Sequence, residues 1–207
     1  MSAVTTATIV QACSGPVAPS TMSAIVLTES SGWPWSIWDN TANRRYTLPS
    51  RAAAVAVASR LIAEGHKLDM GLAQVDSEWL PKLHMTVNQV FSPCRNVRTG
   101  AWILSGDYRG ALSHGYQGGN ALTAAIEAYN SGQFSGDYGY YKAVLRQAHA
   151  PVPSGQPVAF TVPAMGASPN ALPQSPYTAS MVVAIPKPPA AMTAPAPERV
   201  HFMIRFP

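Results

Sequence analysis

Ten side chains of this 207-residue chain can carry a carboxylate: Glu29, Asp39, Glu64, Asp69, Asp76, Glu78, Asp107, Glu127, Asp137 and Glu198. Most fall where a solvated role suffices. Glu64 precedes Gly65 in the last turn of an expected helix, Glu78 lies in a polar turn, and Asp39 reads as a loop residue. Glu29 differs, because it follows the apolar run Ala24-Ile25-Val26-Leu27 and precedes Ser30-Ser31-Gly32. A glutamate at the inner end of an apolar helix loses hydration. That loss disfavours the charged form and keeps the group protonated near neutral pH. A protonated carboxyl is what cleavage of a glycosidic bond requires of its general acid. The competing reading is a helix-terminal glutamate exposed to water, and on position alone that reading is the stronger.

Positioning such a group takes a folded domain, and the chain supplies one before its prolines crowd. Six of the 19 prolines lie in residues 1–149 and thirteen in the last 58 residues. Proline removes backbone donors and blocks helical turns, so long helices end there. Residues 1–149 are therefore read as the folded domain and 150–207 as an extended, largely disordered Pro/Ala-rich tail. Short apolar pieces at 181–185 and 200–206 are either incidental or strands that join a partner's sheet edge.

Within 1–149 the periodicity is mostly helical. Helices are expected over 5–13, from Pro19 to about residue 30, from the Ser50 cap to Gly65, from Ser92-Pro93 to 108, from Gly119-Asn120 to 129, and over 138–149. Residues 35–48, rich in aromatics, Asn and Thr, suggest short strands, and 68–75 a glycine-containing turn or hairpin. The expected class is α+β, mainly helical, with a small irregular β insertion.

Composition excludes several functions. Charged residues make up 12% of the chain, against about 25% in typical domains, and the net charge is +4. A mild excess of positive charge suits an anionic polymer, but the arginines are scattered and lack interleaved aromatics, so nucleic acid is not the expected partner. No apolar run approaches the ~20 residues of a membrane span. Residues 1–13 lack the charged start and unbroken apolar stretch of a signal peptide. The five histidines show no metal-ligand spacing, and no metal or other cofactor is expected. Cys13 and Cys94 fit either a long-range disulfide or two buried thiols.

Three short motifs, in order, narrow the reading. Glu29-Ser30-Ser31-Gly32 resembles the Glu-Ser-x-x motif that ends the catalytic helix of goose-type lysozymes and bacterial lytic transglycosylases. Gly71-Leu72-Ala73-Gln74-Val75 resembles their Gly-Leu-x-Gln motif, and Ala128-Tyr129-Asn130-Ser131-Gly132 their Ala-Tyr-Asn-x-Gly motif. Val17-Ala18-Pro19-Ser20-Thr21, Cys13, Phe91-Ser92-Pro93-Cys94-Arg95-Asn96 and Gly100-Ala101-Trp102-Ile103-Leu104 are similar to the transglycosylases that accompany type IV secretion and conjugation machines. The resemblance runs from about residue 11 to 144. It departs at Ala73, where many relatives have Met, and at Glu127, where a small residue is common and which is expected to point away along its helix.

The resemblance implies a lysozyme-like fold and a peptidoglycan glycan strand as substrate. By it, Glu29 is the single catalytic acid and base for the bond between N-acetylmuramic acid and N-acetylglucosamine, and a 1,6-anhydro ring closes without water. Gln74, Tyr129 and Asn130 become substrate-binding candidates, with Tyr129 able to hydrogen-bond Glu29 or an acetamido group. Ser30 either orients Glu29 or caps the helix. Trp33, Trp35 and Trp38 either stack on sugars or fill the small lobe. The implied compartment is the periplasm, which favours a Cys13–Cys94 disulfide. The implied partners are secretion or conjugation components reached through the tail. The alternatives are a hydrolytic lysozyme and a weakly active wall-binding assembly factor.

Overall fold

Thr5, Ser50 and Thr86 start three helices by one device, a side-chain oxygen that accepts an otherwise orphaned first-turn N–H. The acceptor distances are 3.2 Å from Thr8 N, 3.2 Å from Ala53 N and 3.2 Å from Gln89 N. Gln89 returns the favour to Thr86 N at 2.9 Å, completing a capping box. Two further helices open with proline in the first turn, where the missing donor is harmless.

The computed structural model describes residues 5–148. In chain order the elements are α1 (Thr6–Cys13), α2 (Pro19–Ser30), β1 (Ser36–Asp39), β2 (Arg44–Thr47), α3 (Arg51–Ala63), β3 (Leu68–Met70), β4 (Val75–Asp76), α4 (Trp79–Lys82), α5 (Val87–Val90), α6 (Pro93–Ser113), α7 (Gly118–Ser131) and α8 (Gly139–Gln147). The expected α+β, mainly helical class is the one observed. The tail expected over 150–207 lies outside the described residues.

Two apolar cores organise the domain. The larger joins α1, α2, α6, α7 and α8 through Ile9, Met22, Ile25, Val97, Leu104, Ile126, Tyr140 and Val144. The second lies beneath the sheet, where Ile37, Met70 and Val75 meet Ala58, Leu61 and Phe91. Helix α6 borders both cores. A disulfide between Cys13 and Cys94, 81 residues apart, ties α1 to its first turn.

The sheet is antiparallel with order β2-β1-β3-β4. Directly opposed residues share a face. Tyr46, Ile37, Met70 and Val75 therefore form one row on the core side, and Arg45, Trp38, Asp69 and Asp76 form the next row on the other side.

Two expectations need correction. Helix α6 runs five residues past its expected end at 108, to Ser113. Gly110 allows that extension to pack, since a Cβ there would sit 2.5 Å from the Phe134 ring. The four-residue helices α4 and α5 were not anticipated, being too short to show a period. Glu127, expected to point away along its helix, turns to α8. It is buried, and its Oε1 accepts the Tyr141 N–H at 2.8 Å in the first turn of α8, where a carboxylate complements the helix dipole. Among the described residues no helix is long and apolar enough to cross a membrane.

Candidate active site

Helix α2 ends just after Glu29 because the next residues turn left-handed. Ser31 has φ +54° and Gly32 φ +76°, and their N–H groups return to Leu27 and Val26 carbonyls at 3.1 and 3.4 Å. This stop leaves Glu29 in the last turn, its carboxyl enclosed by protein while the residue keeps some accessible surface. Burial pushes its pKa from 4.5 up to about 7, against the opposing pulls of a Tyr140 hydrogen bond and the Arg45 guanidinium.

Tyr140 is the residue the motifs missed. Its hydroxyl donates a short hydrogen bond to Glu29 Oε1. It lies in the first turn of α8, which packs on α2, so only the tertiary fold brings it to the acid. Burial raises its own pKa well above 10, as does the nearby Glu29 carboxyl. It therefore acts as a neutral donor.

Tyr129 does not hold Glu29. Its hydroxyl donates to Ala73 O at 2.7 Å, because α7 faces the β3–β4 loop across Gly100. A Cβ on Gly100 would lie 2.6 Å from Ala73 Cβ and 2.7 Å from Tyr129 Oη. Burial raises the Tyr129 pKa well above 10, with Glu29, Asp107 and Asp69 adding to the rise.

Gln74 lines the same loop with φ +44°. Its Nε2 donates to Gly71 O at 2.8 Å and Ser36 O at 3.3 Å, while its buried Oε1 has no partner. An acceptor left open at that depth is a place for a ligand N–H or O–H. Ser30 does not reach the Glu29 carboxyl. Its hydroxyl donates to Val26 O at 3.0 Å and Leu72 O at 2.8 Å, tying the helix end to the Gln74 loop. Asn130 follows Tyr129 on α7, half-buried, its side chain making no hydrogen bond to a described residue.

A second missed residue, Asn96, braces this loop from α6. Its Oδ1 accepts Ala73 N at 2.7 Å, and its Nδ2 donates to Met70 O at 2.7 Å and Val90 O at 3.1 Å. Gly71, at φ +82°, leaves room for it, since a Cβ there would fall 2.4 Å from Asn96 Nδ2.

The outer face of the sheet completes the site. Arg45 Nη1 donates to Glu29 O and to Ser36 Oγ, both at 3.1 Å. Asp69 is buried and accepts from Asn40 Nδ2 at 2.9 Å. Burial pushes its pKa to about 8, Asp76 and Glu29 add to the rise, and Asn40 and Arg45 oppose it. Asp39 organises a turn, accepting from Thr41 N and Ala42 N at 3.1 and 3.0 Å and facing His66 Nδ1 at 2.7 Å. Trp33 and Trp35, both partly buried, meet edge to face at 5.5 Å, and Trp35 packs against both apolar cores. Trp38 lies on the outer face under the Arg45 guanidinium, 5.5 Å from its ring. Among the described residues no group of three or more His, Cys, Asp or Glu is placed to hold a metal.

Fold and site together define a lysozyme-like helical domain that shelters a carboxylic acid at the end of α2. The chain belongs to the transglycosylase SLT domain family, whose profile matches residues 7–138. Tyr140 lies just beyond the matched span. The type IV secretion system protein virB1 of Brucella abortus biovar 1 (strain 9-941) is 38% identical over 133 residues, covering 63% of this chain and 55% of that protein. The protein virB1 of Agrobacterium fabrum is 32% identical over 143 residues, covering 68% and 58%. That of Rhizobium radiobacter is 30% identical over 148 residues, covering 70% and 62%. The chain thus spans little more than half the length of these relatives. No solved structure matches it.

Proposed function

We propose that the protein is a peptidoglycan lytic transglycosylase that opens the cell wall locally, in the periplasm, for a type IV secretion or conjugation machine. The observation that carries this reading is Glu29, held near a pKa of about 7 by burial while Tyr140 donates to its Oε1. An acid with that pKa can both give and take a proton near neutral pH.

The Tyr140 hydrogen occupies Oε1, so the acidic proton sits on Oε2. Glu29 passes it to the glycosidic oxygen between N-acetylmuramic acid and N-acetylglucosamine. The C1–O bond breaks, leaving an oxocarbenium-like centre that the 2-acetamido group shields. The muramyl C6 hydroxyl then attacks C1 and closes a 1,6-anhydro ring, while the Glu29 carboxylate takes the C6 proton. No water is consumed, and the acid returns to its starting state. Gln74 Oε1 and Asn130 receive polar groups of the substrate, and Tyr129, Ser30 and Asn96 hold the Gln74 loop in place. We assign the catalytic unit to residues 1–149 and contacts with the secretion machine to residues 150–207; a protein lacking 150–207 is expected to keep its cleaving activity.

Mass spectrometry of muropeptides released from purified peptidoglycan tests the reading. The parent should release anhydro products, lighter by one water than reducing-end products, and Glu29→Gln should release none. Equal clearing by Glu29→Gln would sink the acid assignment. Reducing ends alone would make the protein a hydrolase, and no product from the parent would leave an assembly factor.

A further inference from the structure

The outer row of the sheet crosses all four strands: Arg45 on β2, Trp38 on β1, Asp69 on β3 and Asp76 on β4. Its neighbouring row is committed to the core, but this one borders Glu29, through the Arg45 hydrogen bond to the Glu29 carbonyl at 3.1 Å. The Trp38 indole lies under the Arg45 guanidinium, which steadies that cation at the mouth of the site beside the buried Asp69.

The Arg45 guanidinium is only half used. It offers five N–H donors in a rigid fork. Nη1 spends both of its hydrogens, on Glu29 O and Ser36 Oγ. Nη2 and Nε donate to no described residue, and Arg45 forms no ion pair among them. That free edge has the bidentate geometry that matches a carboxylate, and the residue is exposed. The acids of the row do not compete for it. Asp69 is buried and accepts from Asn40. Asp76 Oδ1 accepts from Glu78 N at 2.6 Å and Ser77 Oγ at 3.4 Å.

We propose that this row seats the muramyl residue beside the scissile bond, with the free edge of Arg45, whose guanidinium lies over the Trp38 indole, pairing with the carboxylate that this residue carries. The inference rests on the transglycosylase reading for the identity of the sugar. The carboxylate is either the free lactyl group of a peptide-free strand or a carboxylate of the stem peptide. Arg45 thereby does two things at once: its Nη1 fixes the end of α2, and its Nη2–Nε edge selects anionic strands over neutral glycans such as chitin.

Binding of soluble glycan strands to Glu29→Gln protein, followed by tryptophan fluorescence, tests this without turnover. Three strands are compared: peptide-bearing, peptide-free, and peptide-free with the lactyl carboxylates converted to methylamides. Adding Arg45→Gln should weaken binding of at least one anionic strand about tenfold and leave the methylamide strand within about twofold. Loss on the peptide-free strand marks the lactyl carboxylate, and loss confined to the peptide-bearing strand marks the stem peptide. Arg45→Lys should recover only part, because an ammonium lacks the fork. Equal weakening on all three strands, or none on either anionic one, overturns the proposal. Arg45-dependent binding to strands that the parent does not cut would refute the transglycosylase reading and leave this one standing. Cutting of strands whose binding ignores Arg45 would do the reverse.

Discussion

Replacing Glu29 by glutamine should stabilise the protein while silencing it, and only above a defined pH. The folded state raises the Glu29 pKa from 4.5 to about 7. Below pH 4.5 folded and unfolded chains both keep the proton, so no penalty exists. Between pH 4.5 and 7 the unfolded chain has released a proton that the folded one retains, and stability falls as pH rises. Above pH 7 the penalty is complete, and at about 1.4 kcal/mol per pH unit it reaches about 3 kcal/mol. Glutamine has nearly the same shape, can still accept the Tyr140 hydroxyl at Oε1, and carries no charge. Asp107, raised by burial in both proteins, cancels in the difference, and Asp69 keeps the larger part of its rise, which comes from burial. Urea unfolding followed by circular dichroism at pH 4, 6 and 8, with the disulfide intact, measures it. Glu29→Gln should exceed the parent by about 3 kcal/mol at pH 8 and match it within about 0.5 kcal/mol at pH 4. A difference that does not change with pH, or a parent that is the more stable at pH 8, would refute burial as the cause of the raised pKa.

Two other changes follow from single contacts. Tyr140→Phe removes a donor that favours the Glu29 carboxylate, so the alkaline limb of the pH–rate profile should move up by about one pH unit, with a rate at pH 6 about tenfold lower. A limb that stays in place would separate Tyr140 from the acid. Replacing Cys13 and Cys94 together by serine frees a loop of 81 residues and should cost about 4 kcal/mol of stability in the chain-entropy model, read as the gap between variant and parent in the same urea titration. Reductant should abolish that gap.

The local devices of this fold were legible in the sequence, and the long-range ones were not. Ser50 capped its helix as expected, and the Glu29-Ser30-Ser31-Gly32 motif marked a helix stop because Ser31 and Gly32 take positive φ there. Gly71 in the second motif and Gly132 in the third likewise turn left-handed. Such signals live within a few residues of each other. Tyr140 meets Glu29 across 111 residues, and nothing near position 140 distinguishes its phenol from those of Tyr138 and Tyr141. Asn96 serves backbone groups 23 and 26 residues away, a role that no spacing announces. Asp69 sat inside what read as a turn. The strand register, not the composition, puts it in line with Trp38 and Arg45. Of the two bonds expected of Tyr129, the one to Glu29 gives way to one with Ala73 O, because its motif fixes its place on α7 but not which oxygen lies opposite.

Whether the site closes a ring or admits water turns on the second carboxyl. A hydrolytic route needs an ionised carboxylate to take a proton from the attacking water. Asp39 is committed to its turn and to His66, and Asp76 accepts two hydrogen bonds at Oδ1. Asp69 feels the Glu29 charge, and burial pushes its pKa to about 8. At pH 7 most of it holds its proton, which supports the proposed route with the muramyl C6 hydroxyl as nucleophile and Glu29 as its base. Asp69→Asn keeps an acceptor for Asn40 and removes only the option of ionising. The variant should still release anhydro products alone at pH 6 and 7, at a rate lowered by the altered sugar contact. A reducing-end product that grows in the parent as pH passes 8 and disappears in Asp69→Asn would show that this aspartate activates water after all.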